Sequence, residues 1–403
     1  MELFWLEHKK LWRKKIVKIC VLLCFVYCVI FGSILSFQWF CFGSSDDYTS
    51  AFGNNFDGYT VIKDSQEYAL SFGGELTDET LQKIVSDYQQ MEADGMEEEL
   101  EKTDWQIVNS WLGTLYPELR DTSNYKTMIS YVDPDKLTGF YERRQQVLDE
   151  FLEVSGQVGA EKEFLHQIER KVEKPFRYEW VEGWSTLLGS MVADLGVVMA
   201  LFLGIVLSSL FAGEWHDNTS ALVLTTRNGW GKIALAKILT GLSFTVELFA
   251  LLAVSNVISQ LFFMGTAGWD MPIQNIKLIA VAPMNMLQAE IYEYAFVLLG
   301  AIGFAGIVMF ISAAVKNNVL TLLLSLAVVY GPMMIAEYLP YEMQKALDLI
   351  PLVGSSTDIF RTNTFRIFGK LIWSPYLLIT IPVLIGILCM PFAIKSWSRR
   401  MKA

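Results

Sequence analysis

The sequence predicts an all-α integral membrane protein. It has six transmembrane helices, both termini cytoplasmic, and a mainly helical extracellular domain with minor β. Three observations predict it. The chain of 403 residues is 53% hydrophobic, and six stretches stay apolar over the about 20 residues that cross about 30 Å of hydrocarbon. Charge is segregated: residues 44–183 hold about thirty Asp and Glu against about thirteen Lys and Arg, roughly −17, so a chain of net charge −11 leaves roughly +6 for the rest. Finally, the N-terminal tail, the segment after the second span, the turn at Lys316 and the C-terminal tail are basic, and six alternating helices put all four on one side.

Residues 1–15 read as a cytoplasmic amphipathic helix. Met1, Phe4, Trp5, His8, Leu11 and Trp12 share one face, while Glu2, Glu7, Lys9, Lys10, Arg13 and Lys14 lie largely elsewhere. Tryptophan and lysine at this spacing suit a helix in the headgroup plane, with Phe4, Trp5, Lys9 and Trp12 as its interfacial residues. Simple anchoring and a lever touching a cytosolic partner fit equally well. The first span, residues 16–42, is longer than a signal-peptide core of about 7–15 residues and lacks an Ala-x-Ala site, so it reads as a retained anchor. Cys20, Cys24 and Cys28 share a face of it as small packing residues.

Residues 43–186 form the extracellular domain. Thr77-Asp78-Glu79 caps a helix toward Lys102, with Leu81, Ile84, Val85 and Tyr88 at helical spacing. A second helical run extends from about Asp135 to Lys174 and breaks at Gly156 and Gly159. Between them Trp105, Trp111, Leu112, Leu115 and Tyr116 make an apolar knot ended by Pro117, and Tyr59–Ile62 reads as a short strand. His166 reads as a surface residue. The acidity reads as a solvated face or as a means of capturing a cationic molecule; it repels phosphate, which argues against a nucleic-acid partner.

The remaining spans are residues 187–212, 238–264, 294–315, 319–338 and 375–394. Residues 213–237 form a cytoplasmic loop, 265–293 an extracellular segment, 339–374 an extracellular or re-entrant segment, and 395–403 a cytoplasmic tail. Lys345, Arg361, Arg366 and Lys370 in the last outer segment run against the charge rule. Ionisable groups inside spans are costly and face protein or water. Asp194 and Glu247 are therefore candidates for a substrate path or for pairing within the bundle, whereas Glu290, Glu293 and Glu337 read as interfacial groups in water.

No phosphate loop, Gly-x-Ser-x-Gly or His-Glu-x-x-His occurs in the sequence, and no metal-ligand spacing. The chain does not read as an enzyme. The loop after the second span is the more specific feature. Asp217, Asn218 or Thr219 can cap a short helix through Leu224, and Arg227-Asn228-Gly229 turns the chain back. Such a helix suits docking into a groove of a motor protein.

Glu214, Thr219, Leu222, Leu224, Thr225, Thr226, Arg227 and Lys237, in that order, resemble the permease subunits of type-2 ATP-binding-cassette (ABC) exporters, in the subgroup with a large extracellular domain between spans one and two. Many relatives place Pro after the Thr pair, whereas Arg227 follows Thr226 directly here. The resemblance implies an export permease in a bacterial plasma membrane, moving an antimicrobial peptide, drug, lipid or ion. It implies two cytosolic ATPase partners that bind ATP and Mg2+, and a second permease, identical or paralogous. It implies ATPase coupling through Glu214, Asp217, Asn218, Thr219, Leu222, Leu224, Thr226 and Arg227, a path lined by spans two and five, and short surface or re-entrant helices over Ile276–Glu293 and Leu339–Trp373. The competing reading is a membrane sensor whose outer domain detects a ligand without transporting it.

Overall fold

The structure is a computed structural model that describes residues 2–30, 66–67, 69, 73–96, 105–121, 126–188, 192–217, 219, 231–354 and 359–399. Helix α1 (Glu2–Arg13) is followed, after a break at Lys14, by α2 (Lys15–Ile30). The soluble domain contains β1 (Gly74–Leu76), α3 (Asp78–Ala93), α4 (Gln106–Leu115), α5 (Phe140–Val154), α6 (Ala160–Glu169) and β2 (Phe176–Tyr178). After α7 (Glu182–Thr186) come α8 (Val192–His216), α9 (Gly231–Met264), α10 (Met286–Ala314), α11 (Asn318–Ile335), α12 (Tyr341–Leu347), β3 (Thr364–Ile367), β4 (Lys370–Trp373) and α13 (Ser374–Arg399).

Among the described residues five helical stretches are long and apolar enough to cross a membrane: Leu195–His216, Gly231–Met264, Met286–Ala314, Asn318–Tyr338 and Ser374–Ser398. This is the pattern of a multi-pass membrane protein. The distal part of the expected first span, and the expected strand at Tyr59–Ile62, lie outside the described residues.

Helix α8 is central in the bundle. Leu195, Met199, Leu203, Leu207 and Phe211 recur every four residues and are all buried. Helices α10 and α13 approach at their backbones: a β-carbon at Gly306 would lie 2.5 Å from the Gly386 carbonyl oxygen. Gly303 and Gly306 allow this because small residues let apolar helices gain dispersion where no water is available to drive association. Ser312 of α10 donates to the Ser208 carbonyl (2.7 Å) and accepts from the Phe211 and Ala212 amides (3.1 Å each), bracing α8 one turn before its end. Helix α11 lies at the periphery, with Leu323 and Met334 exposed.

Strand β1 pairs antiparallel with β2, Leu76 opposite Phe176, and joins the segment before α3 to the segment after α6. Thr77 caps α3, accepting from the Thr80 amide at 3.3 Å. The Asp78 carboxylate accepts from the amides of Gly139 (2.7 Å) and Phe140 (2.8 Å), satisfying free donors at the start of α5. Leu81, Ile84 and Val85 of α3 meet Trp111, Leu112 and Leu115 of α4 in one core with Phe140 and Phe176. The α5–α6 break falls at Gly156 and Gly159, both at positive φ (74° and 59°).

The domain is seated on the connections between the apolar helices. Arg144 of α5 is fully buried; its Nε donates to the Leu278 carbonyl (2.7 Å), Nη2 to Ala280 (3.2 Å) and Nη1 to Glu169 (2.5 Å). A second attachment joins the α5–α6 turn to β3, through Thr364 to Gln157 (2.8 Å) and Arg366 to Glu161 (2.6 Å).

Four expectations are corrected. The segment 265–285 is irregular apart from a single 3-10 turn at Ile273–Asn275, and α10 begins at Met286. Asn285 and Gln288 form a capping box there, so Glu290 and Glu293 fall inside the helix and are buried, at 3% and 0% exposure, rather than in water. Residues 339–374 do contain the short helix α12, but then a β-hairpin, because Phe365 and Ile367 alternate with polar residues and Phe368-Gly369 makes a two-residue turn with both φ positive. The basic residues of that segment, which run against the charge rule, are largely neutralised: Arg361 pairs with Asp348, Arg366 with Glu161 and Lys345 with Glu342. His166 is half-buried against Asp149 at 2.9 Å rather than a free surface residue.

Candidate functional site

The site lies where α8 ends, on the side of the bundle away from the soluble domain. Helix α1 lies across the far ends of α8 and α9, with Leu11 buried beneath it. Glu214, 4% exposed, is the hub. Its carboxylate accepts from Lys10 of α1 (2.6 Å), from Lys237 of α9 (2.9 Å) and from the Thr219 hydroxyl. Lys237, itself buried, also donates to Glu7 of α1 at 2.8 Å. Lys14, at the break between α1 and α2, donates to Ser209 at 3.0 Å.

Three carboxylates (Glu7, Glu214, Asp217) thus face three ammoniums (Lys10, Lys14, Lys237) around one shallow cleft. Their charges balance, which is the condition for burying ions at tolerable cost. Burial works to lower the pKa of Lys10, but the Glu214 carboxylate overrides it and the net shift is upward. Lys14 is pushed down by burial and by the neighbouring Lys237 and Lys10.

A second set of contacts completes the joint. Trp12 Nε1 donates to Glu247 at 3.0 Å, Ser243 donates to the other carboxylate oxygen at 2.6 Å, and His8 Nε2 lies 3.4 Å from it. Trp12 also packs edge-on against Phe244. On the opposite flank of α8, Trp215 packs edge-to-face with the buried Trp397 of α13, and the Lys316 ammonium sits 4.3 Å over the Trp215 ring. The end of α8 is therefore held by α1, α9, α13 and the α10–α11 turn together.

Of the sequence-derived residues, Glu214, Asp217 and Thr219 come together here, with Thr219 bonded to Glu214 and Asp217 exposed at the rim. Glu214 is buried and in contact with Lys10, Lys237 and Thr219. Asn218, Leu222, Leu224, Thr226 and Arg227 lie outside the described residues, and so does the expected short helix. Phe4, Trp5 and Trp12 form an aromatic ladder with His8 along α1, where Trp5 and Lys9 are exposed. Glu247 sits against α1. Asp194 falls in the first turn of α8, with its side chain outside the described part.

No family model, curated protein or solved structure matches this chain. The reading of the site rests on its own geometry.

Sequence reasoning missed Glu7, Lys10 and Ser243 as partners. The signal for Glu7 and Lys10 was their i, i+3 spacing, which places opposite charges on one edge of α1. Lys237 was read as a loop end, yet α9 begins six residues earlier, so Lys237 stands inside the helix facing Glu214.

Proposed function

We propose that the chain is the permease subunit of an ABC-type exporter in a bacterial plasma membrane, driven by a separate cytosolic ATPase. The observation that carries this reading is the clamped end of α8. A push on the segment that follows Glu214 would reach four neighbouring elements at once, because Glu214 and Trp215 bind them on opposite flanks. A passive anchor needs no such cross-bracing between buried charges, which are costly to assemble. The order Glu214, Thr219 and Lys237, shared with the permeases that the sequence resembles, supports the same reading.

In this arrangement two ATPase chains bind ATP and Mg2+, and two permeases, identical or paralogous, face each other. Residues 217–230 are the docking segment, with Asn218, Leu222, Leu224, Thr226 and Arg227 as its contacts. The soluble domain is extracellular. The cargo is amphipathic or hydrophobic, or an ion, with Asp194 beside the path; Glu247 belongs to the joint with α1.

Purification of the full chain from its own membranes tests this. A nucleotide-hydrolysing partner should come with it in equal amount, and ATP-driven export from reconstituted vesicles should fall in Glu214→Gln while nucleotide binding by the partner persists. ATP-independent export by the chain alone, or the absence of any hydrolysing partner, would overturn the proposal.

A further inference from the structure

The cations of the N-terminal segment that the α8 joint leaves over are gathered at the elbow between α1 and α2. Lys9 and Arg13 stand one turn apart on α1, on the face turned away from the buried Leu11. Lys15 and Lys18 stand one turn apart on α2, opposite the face that buries Val17, Cys20 and Cys24 in the bundle. All four are exposed, and none forms an ion pair among the described residues. Nothing local offsets them. Glu7 and Glu214 are taken up by Lys237 and Lys10, and from His8 to Ser45 the chain contains no Asp or Glu. The outer face of α2 then changes character along its length. Beyond Lys15 and Lys18 it continues through Ile19, Leu22, Val26 and Ile30, all exposed and all apolar, with Leu22 at 61%. From Ile19 to Ile30 the helix runs about 16 Å, the depth of one leaflet in a hydrocarbon core of about 30 Å.

We infer that the α1–α2 elbow binds an anionic phospholipid, with the headgroup phosphate among Lys9, Arg13, Lys15 and Lys18 and an acyl chain along the apolar strip of α2. The surface is complementary to such a lipid in both charge and length. The strip alone does not discriminate, because every phospholipid offers it the same chains. Headgroup charge decides: basic residues clustered beside an apolar helix attract anionic lipid, whereas the trimethylammonium of a zwitterionic headgroup meets like charge there. Trp5, exposed one turn before Lys9, is of the residue type that settles at headgroup level. Lys10 and Lys14 of the same elbow hold Glu214 and Ser209 at the end of α8, so a lipid seated here would lie against that joint and press α1 onto it. The inference does not depend on the proposed export function, since the basic cluster and the strip below it are the same for any membrane protein built on this bundle.

The test is native mass spectrometry of the purified full chain, released from micelles that hold phosphatidylglycerol and phosphatidylcholine of identical acyl chains in equal amount. Phosphatidylglycerol should be retained over phosphatidylcholine by at least about tenfold. Lys15→Gln with Lys18→Gln should weaken phosphatidylglycerol binding about thirtyfold, about fivefold for each cation removed. Lys9→Gln with Arg13→Gln should do the same from the other helix, so a folding defect in one pair leaves the other to decide. Lys15→Arg with Lys18→Arg keeps the charge and should bind as the parent does. So should Lys171→Gln with Lys370→Gln, which removes two exposed lysines far along the chain from the elbow. Equal retention of the two lipids, binding that survives both elbow pairs, or an equal loss in the Lys171 and Lys370 pair would each overturn the inference. Displacement of the lipid by an equal concentration of soluble glycerol 3-phosphate would mean that the elbow takes an anion without its chains, and would overturn the lipid assignment.

Discussion

Replacing Glu214 by Gln should loosen α1 from the bundle far more than replacing Lys10, although both belong to the same ion pair. The difference follows from burial. Lys10 has a side chain 51% exposed, so Lys10→Met removes a half-solvated cation, worth about 0–1 kcal/mol, and leaves Glu214 with Lys237 and Thr219. Glu214 is 4% exposed, and its loss leaves the buried Lys237 with Glu7 alone. Breaking a buried pair from one side costs about 3–5 kcal/mol; the surviving Glu7 contact, at 2.8 Å, brings the expected cost to about 2–3 kcal/mol, or roughly two decades in an opening equilibrium. The double variant Glu214→Gln with Lys237→Met removes the orphaned charge, so it should be less damaged than the sum of its singles. Native-state hydrogen exchange of the α1 amides in nanodiscs reads this local opening directly. Equal effects of Glu214→Gln and Lys10→Met, or full additivity in the double variant, would refute the claim that Glu214 is the hub.

Three further outcomes are expected. Arg144→Met should strand the Leu278 carbonyl and remove one of the two cations on the buried Glu169 carboxylate, costing about 3–5 kcal/mol; limited proteolysis at the base of the soluble domain checks it. Despite burial, which alone would raise it, the pKa of Glu169 is held below its ordinary 4.5 by Lys174 and Arg144. The unfolded chain therefore binds the proton more readily, so this contribution is complete above pH 4.5 and is lost as pH falls through the lower folded value; acid unfolding of Glu169→Gln, monitored by tryptophan fluorescence, should be flatter over that window. Gly306→Leu should force α10 away from the Gly386 backbone and lower the thermal midpoint in detergent, while Gly331→Leu, where the added β-carbon meets nothing within 4 Å, should not.

Spans were legible wherever composition alone decides them, because an apolar run of this length has few other fates in water. Their ends were less legible. Helix α9 runs back to Gly231 and α10 back to Met286, past Lys232, Lys237, Glu290 and Glu293. Hydropathy averages treat those charges as boundaries, yet each helix continues because partners elsewhere in the chain accept Lys237, and because the Asn285 capping box fixes where α10 starts. In the soluble domain the Thr77 cap, the Gly156–Gly159 break and the stop at Pro117 were readable because each is a local rule of backbone geometry. Strands β1 and β2 were not, since they are three residues each and form only by a pairing across a hundred positions. The joint around Glu214 was half readable: its hub stood out, but the contacts from α1, Lys10 to Glu214 and Glu7 to Lys237, span over two hundred positions, and no local pattern announces such a meeting.

The buried guanidinium of Arg144 has a consequence for how the soluble lobe can behave. It hangs on carbonyls that belong to the stretch joining two apolar helices, so the lobe is no pendant on a string. Severed from those helices, it would carry a guanidinium paired with Glu169 alone and an open greasy floor into water. Anything that lands on its upper surface must therefore tug on the bundle beneath, and any rearrangement of the bundle must tilt what stands above it.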